Sequence, residues 1–313
     1  MTATHPDLRV ELGPLSLKNP VMTASGTFGY GKEYASLVDL NCLGALIVKG
    51  LSLRPIPGNP SPRIVETPCG MLNAIGLANI GLRAFLDDEL PRLKDVDTAV
   101  IVNIYGRTIE EYGELAEALN GAAGIAAIEV NISCPNVACG GMAFGTDPRT
   151  SAKVTEMVAK HTDKPVIVKL SPNVGDITQI AKAVQNAGAQ ALSLINTLTG
   201  MAIDVERRTP KLANLSGGLS GPAIRPVALY MVYQVVQAVD IPVIGVGGIM
   251  EAKDALEFLI AGAHAIEVGT ANFVNPRATQ DILAGLTEFC TEQGIERIRE
   301  LVGSLTIHFP PEG

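Results

Sequence analysis

The chain has 313 residues, 47% of them hydrophobic and only 18% charged, which gives enough apolar mass for a large core and excludes a disordered chain. Aromatic residues make up 4% and Trp is absent, so the apolar mass is Ala, Val, Ile and Leu, the stock of buried parallel strands and the helices over them. A net charge of −8 argues against a nucleic-acid partner, which normally meets a basic face.

In chain order, the opening MTATHPDLRVELG carries no apolar h-region, so no signal peptide is expected and a cytoplasmic location follows. Residues Leu8–Leu17, with Gly13-Pro14 at their centre, read as a short β-hairpin. Eight short β-branched runs then recur: Pro20–Ala24, Ala45–Gly50, Thr98–Tyr105, Ala127–Ser133, Pro165–Ser171, Ala191–Thr197, Pro242–Gly247 and Ala265–Thr270. They are continuously apolar rather than alternating, which suits strands covered on both faces. Segments of helical period lie between them. Ile109, Tyr112, Leu115, Ala116 and Leu119 share one face, behind a capping box of Thr108 and Glu111. Asp176 with Gln179 reads as another cap, and Gly188 and Gly262 as helix stops. The longest stretch without charge, Ala183–Ile203, is interrupted by Gln185, Asn186, Gln190 and Asn196, so it reads as a helix end plus a strand rather than a membrane span.

Eight strands alternating with helices predict an α/β fold of the (β/α)8 (TIM) barrel type, one domain over residues 1–313. The competing fold is a doubly wound open sheet, but no G-x-G-x-x-G turn follows the first strand. Three long connections, Leu51–Ile80, Cys134–Asp147 and Leu198–Ser220, each follow a strand end. They are expected as extended loops on the C-terminal face, where barrel enzymes place their active sites.

Polar side chains gather at the same ends. Lys49 and Lys169 close the second and fifth runs, and Asn103, Asn131 and Asn196 close the third, fourth and sixth. Each alone is ordinary, since Asn favours turns and Lys can snorkel. Five at one mouth predict a site. Gly247-Gly248 and Gly269-Thr270 end the last two runs, where barrels usually bind phosphate. Cys134 sits at the mouth as a candidate base or nucleophile. Cys42, Cys69 and Cys290 read as small buried hydrophobes, and the role of Cys139 stays open. The odd cysteine count of five argues against a disulfide framework. No C-x-x-C or H-E-x-x-H spacing occurs and Cys134/Cys139 lack the third cysteine of a plant-type cluster, so no metal site is expected.

Several strings occur in one order: VKGLSLRPIPGNPSPR, MLNAIGLAN, NISCPN, VIVKLSPN, LSLINTLTG, GGLSGPAIRP, VIGVGGI and VGTA. From about Leu8 to the C-terminus the chain resembles the class 1 dihydroorotate dehydrogenases, and GNPSPR…MLNAIGLAN most resembles the B type, the catalytic subunit of the NAD-linked enzyme. The resemblance implies an FMN enzyme that oxidises dihydroorotate to orotate in pyrimidine synthesis. It places the catalytic base at Cys134. It assigns FMN contacts to Ser25, Lys49, Gly50, Asn103, Asn131, Lys169, Ile195, Gly221, Gly247, Gly248, Gly269 and Thr270. It assigns substrate contacts to Lys49, Asn73, Ala74, Ile75, Gly76, Leu77, Asn131, Asn136, Asn196 and Thr197.

Those residue types suit the chemistry. Orotate has amide-like edges that Asn can read with both a donor and an acceptor. A thiol of ordinary pKa near 8.5 serves as a base at mildly alkaline pH, and Lys169 stabilises a reduced anionic flavin. The chain shows no cluster ligands and no dinucleotide fingerprint, so electrons must leave FMN for something else. The B-type resemblance implies a homodimer inside a heterotetramer, with a partner subunit carrying FAD and a [2Fe–2S] cluster and passing electrons to NAD. The alternatives are a fumarate-linked A-type homodimer, a dihydropyrimidine dehydrogenase suggested by NVACGGMAF, a flavin-free phosphate-binding lyase or isomerase, and a non-catalytic binding protein.

Overall fold

The computed structural model describes residues 5–133, 138–139 and 142–307. Eight parallel strands close into a barrel. In chain order they are β1 (Val21–Thr23), β2 (Ala45–Ile47), β3 (Ala99–Ile104), β4 (Ala127–Asn131), β5 (Val166–Lys169), β6 (Ala191–Leu194), β7 (Val243–Val246) and β8 (Ala265–Val268). Each pairs with the next, and β8 closes on β1 with Glu267 opposite Met22. All eight expected runs are present, each trimmed at one or both ends. Val48–Gly50 and Ile195–Thr197 run on from the strand ends into the mouth, where the Val48, Ile195 and Asn196 N–H groups still donate to Ile101, Val246 and Leu170 O.

Both faces of the barrel wall are mostly apolar, as strands covered on both sides require, with a few buried polar residues among them. Twenty-six of the 33 barrel-strand residues are apolar or glycine, and Val21, Ile47, Ile101, Val168 and Ile266 are fully buried. Outside lie α1 (Ile109–Asn120), α2 (Pro148–His161), α3 (Ile177–Asn186), α4 (Arg225–Val236), α5 (Ala252–Ile260) and α6 (Ala278–Glu292). After β1 and β2 the chain supplies only a 3-10 turn, Leu40–Cys42, and an irregular helical segment, Leu82–Leu93.

The helix starts follow their capping residues. The Thr108 hydroxyl accepts from the Glu111 N–H, but the Glu111 carboxylate accepts from the Arg107 N–H, one residue short of the expected reciprocal box. Asp176 accepts from the Thr178 N–H, and Gln179 bonds its other oxygen. Gly188 and Gly262 stop their helices at φ 102° and 114°. The opening hairpin pairs Val10–Leu12 with Leu15–Leu17 around Gly13 at φ 62°.

The long mouth connections are not plain loops. Ile64–Thr67 and Gly70–Asn73 form a hairpin, and Gly70–Asn73 pairs with Gly217–Ser220, which pairs with Leu198–Gly200. The connections after β2 and β6 thus join in a four-stranded antiparallel sheet over one side of the mouth. Local sequence could not reveal this, because the partners lie more than a hundred residues apart. In the third connection Ala138–Cys139 pairs with Met142–Ala143. Among the expected buried cysteines, Cys290 is buried, Cys42 is half-buried and Cys69 is exposed at the hairpin turn, where no helix covers it.

Candidate active site

The C-terminal mouth holds a cavity of about 460 Å³, within the range of about 300–1,000 Å³ usual for small-molecule sites. Its floor is the top of the barrel. Register sets Lys169 beside Asn131 on one side and Ser193 on the other, and Asn103 beside Glu129. Asn103 and Lys169 are buried polar residues that line the cavity.

Two cations face this space, and they differ. Lys169 Nζ lies 2.5 Å from Glu267 Oε2 and 3.5 Å from Glu129 Oε1. Burial would lower its pKa, but Glu129 and Glu267 outweigh burial and raise it, so the ammonium persists. Lys49 has no carboxylate within ion-pairing distance among the described residues, and burial lowers its pKa. A half-buried cation without a counter-charge is prepared for an anionic ligand.

One wall is the segment 73–77. Asn59 donates its side-chain amide to Ala74 O at 3.0 Å, and its N–H bonds Ile75 O. The Tyr105 hydroxyl donates to Leu77 O at 2.7 Å. Those anchors hold Leu77 at φ 58°, a left-handed conformation that a leucine avoids unless its surroundings impose it. The opposite wall is the segment after β6. Asn196 donates to Asn131 Oδ1 at 3.4 Å, and its own Oδ1 accepts from the Thr197 N–H at 2.7 Å. Asn173 braces this segment through Thr197 O and the Thr199 N–H.

The far end is glycine. Gly247 and Gly248 have φ of 135° and 73°, and their N–H groups and that of Gly269 have no backbone acceptor among the described residues. A Cβ on Gly248 would fall 2.8 Å from Gly221 O and from Arg225 Cβ. Arg225 is itself fixed by an ion pair to Asp254, so the cradle cannot yield on that side. Gly50 is similarly constrained, since a Cβ there would lie 2.6 Å from Asn103 Oδ1. Open N–H groups on a bare backbone suit an anion such as a phosphate. Gly248→Ala is expected to cost about 1–3 kcal/mol in stability from its left-handed backbone. It should also weaken FMN binding, which flavin retention through gel filtration will read.

The structure brings the expected residues together. Ser25, Lys49, Gly50, Asn103, Asn131, Lys169, Ile195, Gly221, Gly247, Gly248, Gly269 and Thr270 all line the cavity, as do Asn73, Ala74, Ile75, Gly76, Leu77, Asn196 and Thr197. Cys134 and Asn136 lie outside the described residues. Sequence reasoning missed Asn59, Asn173 and Thr199, ordinary loop residues until the sheet places them. It also missed Glu129 and Glu267, both fully buried in the barrel. A signal for them existed: an acidic residue inside an apolar strand, in the same string Ala-Ile-Glu-Val at 127–130 and 265–268.

The residues fit a flavin mononucleotide on three observations. The open N–H groups at glycine suit its phosphate, the buried Lys169 suits an anionic ring edge, and the cavity between them suits a flat ring.

Comparison with known proteins agrees. A family model described as "Dihydroorotate dehydrogenase" matches residues 7–290. A protein of Geotalea daltonii is 62% identical over 302 residues, 96% of this chain and 99% of its own length. Proteins of Desulforamulus reducens and Geobacter sulfurreducens are 61% identical over 298 residues and 58% identical over 302. They cover 95% and 96% of this chain and 98% and 99% of their own lengths. All three are named "Dihydroorotate dehydrogenase B (NAD(+)), catalytic subunit". With the barrel, the mouth residues and this match along nearly its whole length, the chain belongs to the dihydroorotate dehydrogenase family.

Proposed function

We propose that the chain oxidises dihydroorotate to orotate in de novo pyrimidine biosynthesis with FMN, as the catalytic subunit of an NAD-linked enzyme. The observation that carries this reading is one cavity holding an unpaired lysine, a paired lysine, several asparagines and a glycine cradle. FMN bound in this cavity would supply the acceptor for the hydride lost from C6 of the substrate.

The chain's own residues do the rest. Gly247, Gly248, Gly269 and Thr270 hold the phosphate, and Ser25, Gly50, Asn103, Ile195 and Gly221 surround the ring. Lys169 places a fixed positive charge at the cavity floor, where it stabilises negative charge on the reduced ring. Asn73, Asn131, Asn136, Asn196 and Thr197 read the edges of the pyrimidine, and a site built this way rejects analogues that leave its amides unpaired. Lys49 attracts the substrate carboxylate and touches the flavin. Cys134 takes the proton from C5.

Anaerobic titration of the purified protein with dihydroorotate tests this. Stoichiometric bleaching of flavin absorbance is expected. A protein that stays colourless after incubation with FMN, or that binds it and does not bleach, overturns the proposal. We further infer a homodimer assembled with a partner that carries FAD and a [2Fe–2S] cluster; the words "catalytic subunit" in the relatives' names support a partner subunit. Among the described residues no helix is long and apolar enough to cross a membrane, and no group of three acidic, His or Cys residues could hold a metal. NAD+ reduction is expected only when an iron–sulfur partner co-purifies, and fumarate should not replace it.

A further inference from the structure

The polar layer inside the barrel is larger than binding a flavin requires. Lys169 projects from β5 between two carboxyl groups, Glu129 on β4 and Glu267 on β8, and all three are buried. Their hydrogen bonding is unequal. Glu129 Oε1 accepts from the Ser193 hydroxyl of β6 at 2.7 Å and lies 3.5 Å from Lys169 Nζ. Its Oε2 accepts from the Asn103 amide of β3 at 2.5 Å. Three donors therefore converge on Glu129. Among the described residues Glu267 accepts from Lys169 at Oε2, and its Oε1 has no donor; what it faces besides the lysine is the Glu129 carboxyl.

A bare carboxylate oxygen in a barrel interior is costly, whereas a protonated one is tolerable. Glu129 is built to be an anion and Glu267 is not. Lys169 is the sole cation that reaches either carboxyl among the described residues. One cation cannot balance two buried anions. The directions agree: burial raises the Glu267 carboxyl, and the Glu129 charge and a hydrogen bond between the two carboxyls raise it further against the pull of Lys169, whereas Lys169, the Glu267 carboxyl, Ser193 and Asn103 hold Glu129 low against its own burial.

We propose that Glu129 and Glu267 are positioning residues for Lys169 and share a single proton, so that the three side chains form a neutral unit under the flavin site. The charge sits on Glu129 and the proton on Glu267. If Glu129 is neutralised, the proton leaves Glu267 and the anion moves there, still against Lys169. Either carboxyl alone then keeps the lysine charged and fixed. The unit restrains the positive field at the cavity floor, which would otherwise come from an unbalanced ammonium. This role for the flavin rests on the function proposed above, but the shared proton does not.

The test has two parts. Infrared difference spectra of FMN-free protein at neutral pH compare the native chain with Glu129→Gln and Glu267→Gln. A buried protonated carboxyl is expected in the native protein and absent from both variants, including the one that leaves Glu267 in place. Persistence of the band in either variant overturns the proposal. The second part is the FMN midpoint potential. Each single variant is expected to change the preference for reduced over oxidised FMN less than threefold. The double variant should strengthen it at least tenfold, about 30 mV for a two-electron couple. If Glu129→Gln alone moves the potential as far as the double variant, the charge does not migrate and the inference fails. Should the double variant not fold, the infrared comparison of the single variants decides. Failure to bind FMN would count against the proposed function and leave the infrared result standing.

Discussion

Lys169→Ala lowers stability by about 3–5 kcal/mol, the usual consequence of removing one partner from a buried ionic group. The loss has a pH dependence of known sign. In the native protein Lys169 helps hold Glu129 below its ordinary carboxylate pKa, which stabilises the fold above that pKa. Without the lysine, burial dominates and both carboxyls titrate above their unfolded values. A raised carboxyl pKa favours folding at acid pH and loses that advantage as pH rises through it. The deficit of the variant should therefore widen from mildly acidic to mildly alkaline pH in urea unfolding. The same variant should retain less FMN and reduce it more slowly. A stability deficit that stays constant with pH would show that lost packing of the lysine stem, not its charge, is responsible.

Cys134→Ala is expected to bind FMN normally and to lose dihydroorotate-dependent flavin bleaching by about two to four orders of magnitude, the usual contribution of a positioned general base. Flavin content controls for folding and cradle integrity, since the glycines that would hold the phosphate are far from residue 134 in the chain. Rapid-mixing measurement of bleaching, with flavin content matched to the native protein, reads the effect. Near-native bleaching in the alanine variant would move the base role to another residue.

Much of this architecture is legible in the amino-acid sequence. A strand buried on both faces must be continuously apolar, so runs such as Val166–Lys169 and Val243–Val246 announce themselves, and a lysine or asparagine at their ends has few other uses. Capping at Asp176 and stopping at Gly188 are equally local, because a helix end must satisfy its own backbone groups within a turn. The glycine pair after β7 is legible for the same reason, as its backbone adopts angles that side chains resist.

The rest depends on residues that are distant in sequence. The sheet over the mouth joins Gly70–Asn73 to Gly217–Ser220, and neither strand has enough apolar alternation to stand out. Asn59 and Tyr105 become wall supports only because the segment Ala74–Leu77 is brought between them, with Leu77 in a left-handed conformation. Asn173 looks like any turn asparagine until Thr199 arrives to use its oxygen.

The composition and strand pattern by themselves determined an acidic, aromatic-poor barrel with its polar side chains at one mouth. That follows from burial, which acts on each strand separately. Only the tertiary structure decided which charges balance. Glu129, Lys169 and Glu267 are 40 and 98 residues apart along the chain and become one unit because closing the barrel leaves them no water to share. Lys49, of the same residue type and at the same mouth, has no carboxylate within ion-pairing distance among the described residues. Closure assigns one lysine to the protein and leaves the other for a ligand.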